Sequence, residues 1–410
     1  MKDQKHKFDV VIAGGGIAGT MAAIAAANEG CRTLLIERYA ALGGMATLGL
    51  VQPITMWGIN GQYVIGGRGR DILENLSAIN PGAATPMSHY GPACDAEYLK
   101  QSLETAAIES GVELLYHAWV TGVKKEKDAL AELQVISKAG AMTIAGDIFI
   151  DATGDGDVAA LAGVPFDEGS QGITLMFIVA GIKREDCPSM KVIGEIWDRH
   201  KVGYRKLALF WHPRKDAAYI NVTEVEGVNG LDPWALTEAT VECRRQSWQT
   251  LEVLKAHIPG FENAYIEQTA PALGVRETRR IQGCYTLTEE DVLTGTDFPD
   301  TIARASCPVD VHGSKNAGCG DYGTLKKSYG IPYRSLINDS IRNLIVTGRP
   351  ISADHIAHSS LRRMAPGFAL GEAAGVAAAL AAKSGDVGAV SVSKLQDILE
   401  KHGAILRAEK

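Results

Sequence analysis

Three arginines and three histidines carry the residue types in this chain that could do chemistry. Arg276, Arg279 and Arg280 fall within five positions, and a guanidinium grips a carboxylate with two parallel N–H bonds, so it orients an anion as well as binding it. Read as a strand from Arg276 to Leu287, the segment puts Arg276 and Arg280 on one face and Glu277 and Arg279 on the other. The three cannot all line one pocket. Arg276 is the anchor expected to face a substrate, the rest being suited to salt bridges with Glu277, Glu289 and Glu290. His312, two residues after Asp310, and the pair His355 and His358 supply the side chain that most readily moves a proton near neutral pH. A helix over 353–363 would set His355, His358 or Ser359, and Arg362 on one face. His355 is the leading acid–base candidate and His312 the second. His355 and His358 have a spacing that could ligate zinc, but no cysteine or acid cluster completes the set, so no metal is expected. Cys307 and Cys319 lie near these motifs and read as buried, inert thiols.

Elements elsewhere must position these groups beside a ligand. The run from Val10 to Ala13 is a short apolar strand, and Gly14, Gly16 and Gly19 follow it with the G-x-G-x-x-G spacing of a dinucleotide fingerprint. The first glycine permits a tight turn, the second lets backbone N–H groups reach a pyrophosphate, and the third lets helix and strand lie close. Alanine-rich sequence from Thr20 to Asn28 predicts a helix whose N-terminus faces those phosphates. Thr33–Ile36 reads as the second strand, and Glu37 is at the offset of an acid that binds a ribose diol, with Arg38 beside it. By itself the motif leaves NAD and FAD both open.

Further along, Gly43 and Gly44 sit in a small-residue loop suited to close backbone approach. Asp95 to Ser110 has a helical apolar side, and from Val120 to Ile150 short apolar runs alternate with turns as in a β-meander. That meander ends in Asp151, followed by Gly154 and Asp155 in an acidic turn. Asp232-Pro233 provides an N-cap and a first-turn proline for a helix reaching about His257. Asn343 to Arg349 reads as a strand ending in glycine at Gly348, and 367–380 as a small-residue helix that can lie tightly against a sheet or cofactor.

Bulk properties narrow the class. The chain has 410 residues and a formal charge of −7, with basic residues scattered in short clusters such as Arg244-Arg245 and Arg362-Arg363. No basic stripe for nucleic acid results. Seven cysteines without a C-x-x-C pair suit a reducing cytoplasm, and no apolar run reaches the roughly 18 residues of a membrane span.

Taken together, the fingerprint at 14–19, Glu37, Gly43-Gly44, Asp151 to Asp155, Gly348-Arg349 and Gly371 to Gly375 resemble the FAD-dependent oxidoreductases with a glutathione-reductase-type FAD domain. Gly274 to Gly283, Asp310 with His312, Ile331 to Arg334, and Ile351 to His355 are similar to a broad, poorly characterised bacterial branch of them. The resemblance spans about 8–185 and 270–382. It implies an α/β fold, a three-layer Rossmann-like FAD domain with a β-meander plus an inserted α+β substrate domain. The divisions it suggests are 1–164 and 326–410 for the FAD domain and 165–325 for the insert. It further implies that Gly14, Gly16 and Gly19 hold the FAD pyrophosphate, Glu37 and Arg38 the adenosine side, and Gly43 and Gly44 the pyrophosphate or ribityl portion. Val120 would contact adenine through its backbone, Gly154 and Asp155 would close over the cofactor, and Gly348 and Arg349 would meet the ribityl side. Gly367 opens a helix aimed at the flavin pyrimidine, where reduction places negative charge. Unlike the disulfide reductases, the chain carries no second fingerprint and no C-x-x-C. The expected activity is hydride transfer between flavin N5 and a small polar, possibly carboxylated substrate, with electrons exchanged through an unidentified small molecule or partner. A flavin monooxygenase using O2 and external NAD(P)H, or a non-catalytic flavin electron carrier, are the alternatives; substrate, reaction direction and oligomeric state stay open.

Overall fold

The run Val10–Ala13 has no polar face to offer solvent, and it lies at the centre of a sheet in the computed structural model, which describes residues 6–80, 82–201, 206–312 and 324–408. Cys319 lies outside these residues. β1 (His6–Ala13) pairs in parallel with β2 (Thr33–Ile36), and β2 with Glu113–Leu115. On its other side β1 pairs with the C-terminal part of one long strand, Gly140–Asp151. The N-terminal part of that strand is instead antiparallel to Ala129–Ser137, which in turn pairs with Trp119–Glu126. The expected meander is therefore a single ribbon that feeds directly into the parallel sheet. Leu344–Val346 adds in parallel against Phe149–Asp151, completing seven strands. In this register Ala13, Ile36, Asp151 and Val346 end level with one another. Loops leaving those carboxyl ends converge on one crevice, the position where open α/β sheets bind ligands.

Two helices cover one face of the sheet. α1 (Ile17–Asn28) is buried along most of its length, as is the helix Met364–Ala381. The two cross with their backbones touching, because a Cβ at Gly371 would collide with the Ala18 carbonyl and one at Gly375 with that of Ala22. Met364–Ala381 has the length and apolarity to cross a membrane, but 78% of that stretch is buried inside the protein. Its composition thus answers to the core around it.

One polar residue interrupts this helix. Glu372 is buried, and loss of hydration pushes its carboxyl up to about 7 although the Arg68 backbone N–H lies 3.1 Å away and the Arg68 guanidinium 3.6 Å. Asp71 adds to the rise, and His402 Nδ1 stands at 3.5 Å. A carboxyl raised above its unfolded value binds more protons in the native state, so its favourable contribution is present below the unfolded value and is lost as pH rises through about 7. Glu372→Gln is therefore expected to raise the urea midpoint at about pH 8 and to do so much less at about pH 5. An equal shift at both would remove this carboxyl from the pH dependence.

In chain order a second sheet is inserted between Gly140–Asp151 and Leu344–Val346. Phe177–Ala180, Ala208–Trp211, Ala217–Asn221 and Tyr265–Thr269 form a four-stranded antiparallel sheet. Phe177, Val179, Trp197, Leu254 and Phe261 give it a core of its own, with helices Met190–His200 and Pro233–His257 against it. Asp232 accepts the Trp234 N–H at 2.9 Å and Pro233 takes the first turn, as the sequence predicts. The stretch assigned to the insert does not all share this core. Ile302, Ala303, Ala305 and Val309 bury their side chains with Val10, Met21 and Phe368, on the nucleotide side. The strand expected over Arg276–Leu287 shortens to Arg279–Ile281, paired with Phe166–Glu168. Arg276 and Glu277 are buried through side-chain bonds rather than a ladder.

Candidate functional site

A cavity of about 600 Å3 runs from the loops at the sheet's carboxyl edge to the antiparallel layer. Its lining includes Gly14, Gly16, Glu37, Arg38, Gly43, Gly44, Val120, Gly154, Asp155, Gly348, Arg349 and Gly367. The three fingerprint glycines differ in what they do. Gly14 has φ +100° and would drive a Cβ into Ala152; Gly19 would drive one into the Gly14 carbonyl, and it lies behind the lining. Both are dictated by the protein's own packing. Gly16 is not: its φ of −64° suits any residue, and a Cβ there meets nothing within 4 Å. Gly367 is similar, with Ile17 Cγ2 at 3.9 Å as the only neighbour of a built Cβ. At these two positions the missing side chain leaves room for something other than protein.

Glu37 is buried, and its carboxylate accepts the Gly15 N–H at 2.6 Å and the Tyr39 N–H at 2.8 Å. It thereby clamps the glycine turn to the end of β2 while still bordering the cavity. The Arg38 guanidinium lies 5.2 Å from the Trp119 ring centre and 5.0 Å from that of Tyr39, forming with Val120 one end of the lining. Gly43 donates to the Gly15 carbonyl at 2.8 Å, which lays its loop on the fingerprint. Midway along, Asp155 accepts from Arg349 at 2.6 Å and from the Thr278 hydroxyl at 2.8 Å, and Arg349 donates to the Val275 carbonyl at 2.6 Å. The strand ends at Gly154 and Gly348 are thus tied to the segment carrying Arg276.

The opposite end is polar and charged. Arg276 borders the cavity with its Nη1 donating to the Gly172 carbonyl. Beside it Asp310 receives Arg363 at 2.7 Å, has His312 Nε2 at 3.1 Å and has Arg362 at 3.6 Å. Burial opposes ionisation of Asp310, but His312 and the two guanidinium groups outweigh it and hold the carboxyl well below the usual range. Burial beside Arg363 lowers Arg362 to about 10. His312 Nδ1 lies 3.3 Å from Glu224, so each ring nitrogen has a carboxylate within reach. Thr174, Phe210 and Asn221 close this end from the antiparallel layer.

His355 stands apart from this arrangement. Its helix forms over His355–Leu361, and His355 and His358 turn to Glu277, whereas Arg362, just past the helix end, borders the cavity beside Asp310. His355 Nδ1 lies 2.8 Å from the Glu277 carboxylate, and His355 is absent from the cavity lining among the described residues. Burial alone would raise Glu277, yet His355, His358 and Gln171 together bring it down to about 2. His358 is fully buried, which lowers it to about 3. Gln171 joins the two groups, donating to Glu277 at 3.0 Å while its carbonyl accepts the His312 backbone N–H at 3.3 Å. The structure therefore gathers Arg276 and His312 at one end and leaves His355 outside. Arg363 and Glu224 escaped the sequence reading. Arg362 and Arg363 join the helix His355–Leu361 to the helix starting at Met364, and nothing local marks either Arg363 or Glu224.

A parallel sheet with a fingerprint turn, a closing helix N-terminus and a cavity along the strand ends defines a dinucleotide-dependent α/β enzyme. A family model described as FAD dependent oxidoreductase matches residues 9–399, and the chain belongs to that family. It is an FAD-dependent oxidoreductase. The chain is 25% identical over 174 residues to digeranylgeranylglycerophospholipid reductase 1 of Methanococcoides burtonii, a match covering 40% of this chain and 41% of that one. It thus aligns with less than half of that relative's length. A solved geranylgeranyl bacteriochlorophyll reductase-like protein from Thermoplasma acidophilum is similar in fold, with a TM-score of 0.51 and 13% identity over 97% of this chain and 84% of that one. A p-nitrophenol 4-monooxygenase from Pseudomonas putida gives a TM-score of 0.49 and 12% identity over 97% and 85%.

Proposed function

We propose that FAD occupies this cavity with its adenosine side at Glu37, Arg38 and Val120, its pyrophosphate along Gly14, Gly16, Gly43 and Gly44, and its flavin side toward Gly348, Arg349 and Gly367. When bound, FAD supplies the hydride acceptor or donor at N5. The observation that carries the rest is the juxtaposition of Arg276 and His312 at the far end of one continuous lining. Arg276, buried and held by the Gly172 carbonyl, orients a small carboxylated substrate. His312 holds at Nδ1 the proton exchanged with a substrate O–H or N–H, the Glu224 carboxylate 3.3 Å away giving way to the substrate, while Asp310 fixes the ring through Nε2. The antiparallel layer excludes water from that end with Phe210 and Ala208.

An anaerobic screen of small hydroxy and amino acids for bleaching of the flavin absorbance tests this reading. Reduction by carboxylated compounds and not by their amides is the expected pattern; reduction by the amides alone would overturn it. Arg276→Ala is expected to weaken binding of the active compound by about 10- to 100-fold, the loss from one charge-assisted contact, while dithionite still reduces the full flavin content.

A further inference from the structure

Asp310 is a single carboxylate shared by two guanidinium groups, with Arg363 at 2.7 Å and Arg362 at 3.6 Å. Glu277, the other acid whose charge reaches Arg362, is already paired with Arg280 at 2.9 Å. Positive charge is therefore in excess among these groups. Charge taken out of water without a counter-charge is costly, so guanidinium groups kept this way beside a cavity call for an anion from outside the chain. The excess falls on Arg363. Arg362 is the more buried of the two and commits Nη2 to the Asp310 carbonyl at 2.8 Å. Arg363 Nη2 donates to Asp310, but its Nη1 has no partner among the described residues, and 24% of its side chain stays open on the cavity lining.

Tyr90 borders the same cavity, half-exposed, and its hydroxyl has no hydrogen-bond partner among the described residues. Partial burial raises its phenol, and the Arg363 charge pulls it partly back, so the two side chains are within electrostatic reach of each other. A guanidinium and a phenol together offer donors to both oxygens of a carboxylate. Contacts lead from this pair back to the substrate end. Asp310 holds the His312 ring, the His312 carbonyl accepts the Gly172 N–H at 3.3 Å, and the Gly172 carbonyl accepts from Arg276. We propose that Arg363 and Tyr90 bind a second carboxylate of the substrate, making the enzyme specific for a small dicarboxylate whose first carboxylate is held by Arg276; this rests on the role given to Arg276 above. Lys206, exposed on the lining and without an ion pair among the described residues, adds a cation that draws a dianion to the cavity. A phosphomonoester is the poorer match, since it would set about −1.5 to −2 charges beside Asp310 where a carboxylate sets one.

Calorimetric titration of the oxidised, flavin-loaded full chain with paired acids tests the assignment, succinate, glutarate and adipate being set against butyrate, valerate and hexanoate. The best dicarboxylate is expected to bind at least about 10-fold more tightly than the monocarboxylate of equal carbon number, the worth of one charge-assisted contact. Arg363→Ala should bring that pair to within about threefold of each other. Tyr90→Phe, on a half-exposed side chain that does not touch Asp310, should also narrow the gap. Arg276→Ala should weaken both acids. Flavin absorbance per polypeptide shows that each variant is loaded. Equal affinities within every pair, a preference that survives both Arg363→Ala and Tyr90→Phe, or tighter binding of phosphoglycolate than of any dicarboxylate would overturn the proposal. In each of those cases a loss of binding in Arg276→Ala would leave the first carboxylate site standing. Binding of neither acid class would overturn that reading of Arg276 as well.

Discussion

Gly16→Thr protein is expected to emerge from purification nearly colourless yet folded. Threonine ranks with glycine as an N-cap, the backbone at this position is extended and compatible with any side chain, and a Cβ meets no protein atom within 4 Å. Apo stability should therefore stay within about 1 kcal/mol of wild type. The added atoms instead enter the cavity, where a ligand held against the turn would be displaced. An overpacking cost of about 3 kcal/mol corresponds to roughly a 100-fold loss of FAD affinity. Gly375→Val supplies the contrast, because its side chain would strike the Ala22 carbonyl and part the two core helices, lowering the apo unfolding midpoint itself. Flavin absorbance per polypeptide and the thermal midpoint of the apo protein separate the two outcomes. Full flavin occupancy in Gly16→Thr would show that the cofactor does not run past this turn.

His312→Gln is expected to slow anaerobic flavin reduction by about 10²- to 10⁴-fold, the usual worth of a positioned acid–base group. Glutamine keeps a hydrogen-bonding group facing Asp310 but cannot carry the proton, so affinity for the substrate and flavin content should hold. His355→Gln should change the rate only a few-fold, since among the described residues His355 lies outside the cavity lining. Stopped-flow reduction of each variant decides between them. The opposite ranking would return the proton chemistry to the His355–Glu277 pair and remove His312 from it.

Why the nucleotide end was legible and the other end was not follows from how each is built. From Val10 to Glu37 every position of the motif answers to local geometry: a strand buried on both faces, a turn at Gly14, a helix start and an acid at the end of the next strand. Sequence spacing sets those relations directly. Arg276, His312 and Arg363 come from three separate segments, and what each side chain faces depends on how a loop is folded over its neighbours. His355 illustrates the limit. Its helix and its face follow from the 3.6-residue period, but only tertiary packing decides that Glu277, rather than the cavity, lies opposite. The alternation seen over Arg276–Leu287 misled in the same way, since charged side chains that bury through their own hydrogen bonds imitate a strand pattern without a ladder partner.

The placement of Leu344–Val346 against the long strand, with Met364–Ala381 wedged on α1, bears on how the protein is made. The first nucleotide half emerges from the ribosome nearly two hundred residues before the strand and helix that close it. Until then α1 has no partner along Ala18 and Ala22, and the cavity lacks Gly348 and Gly367 from its lining. Domains fold as units once their chain is out, so the cavity is complete only after synthesis has passed residue 381. During the interval before it, the small-residue face of α1 is an exposed apolar surface that a chaperone would be expected to cover.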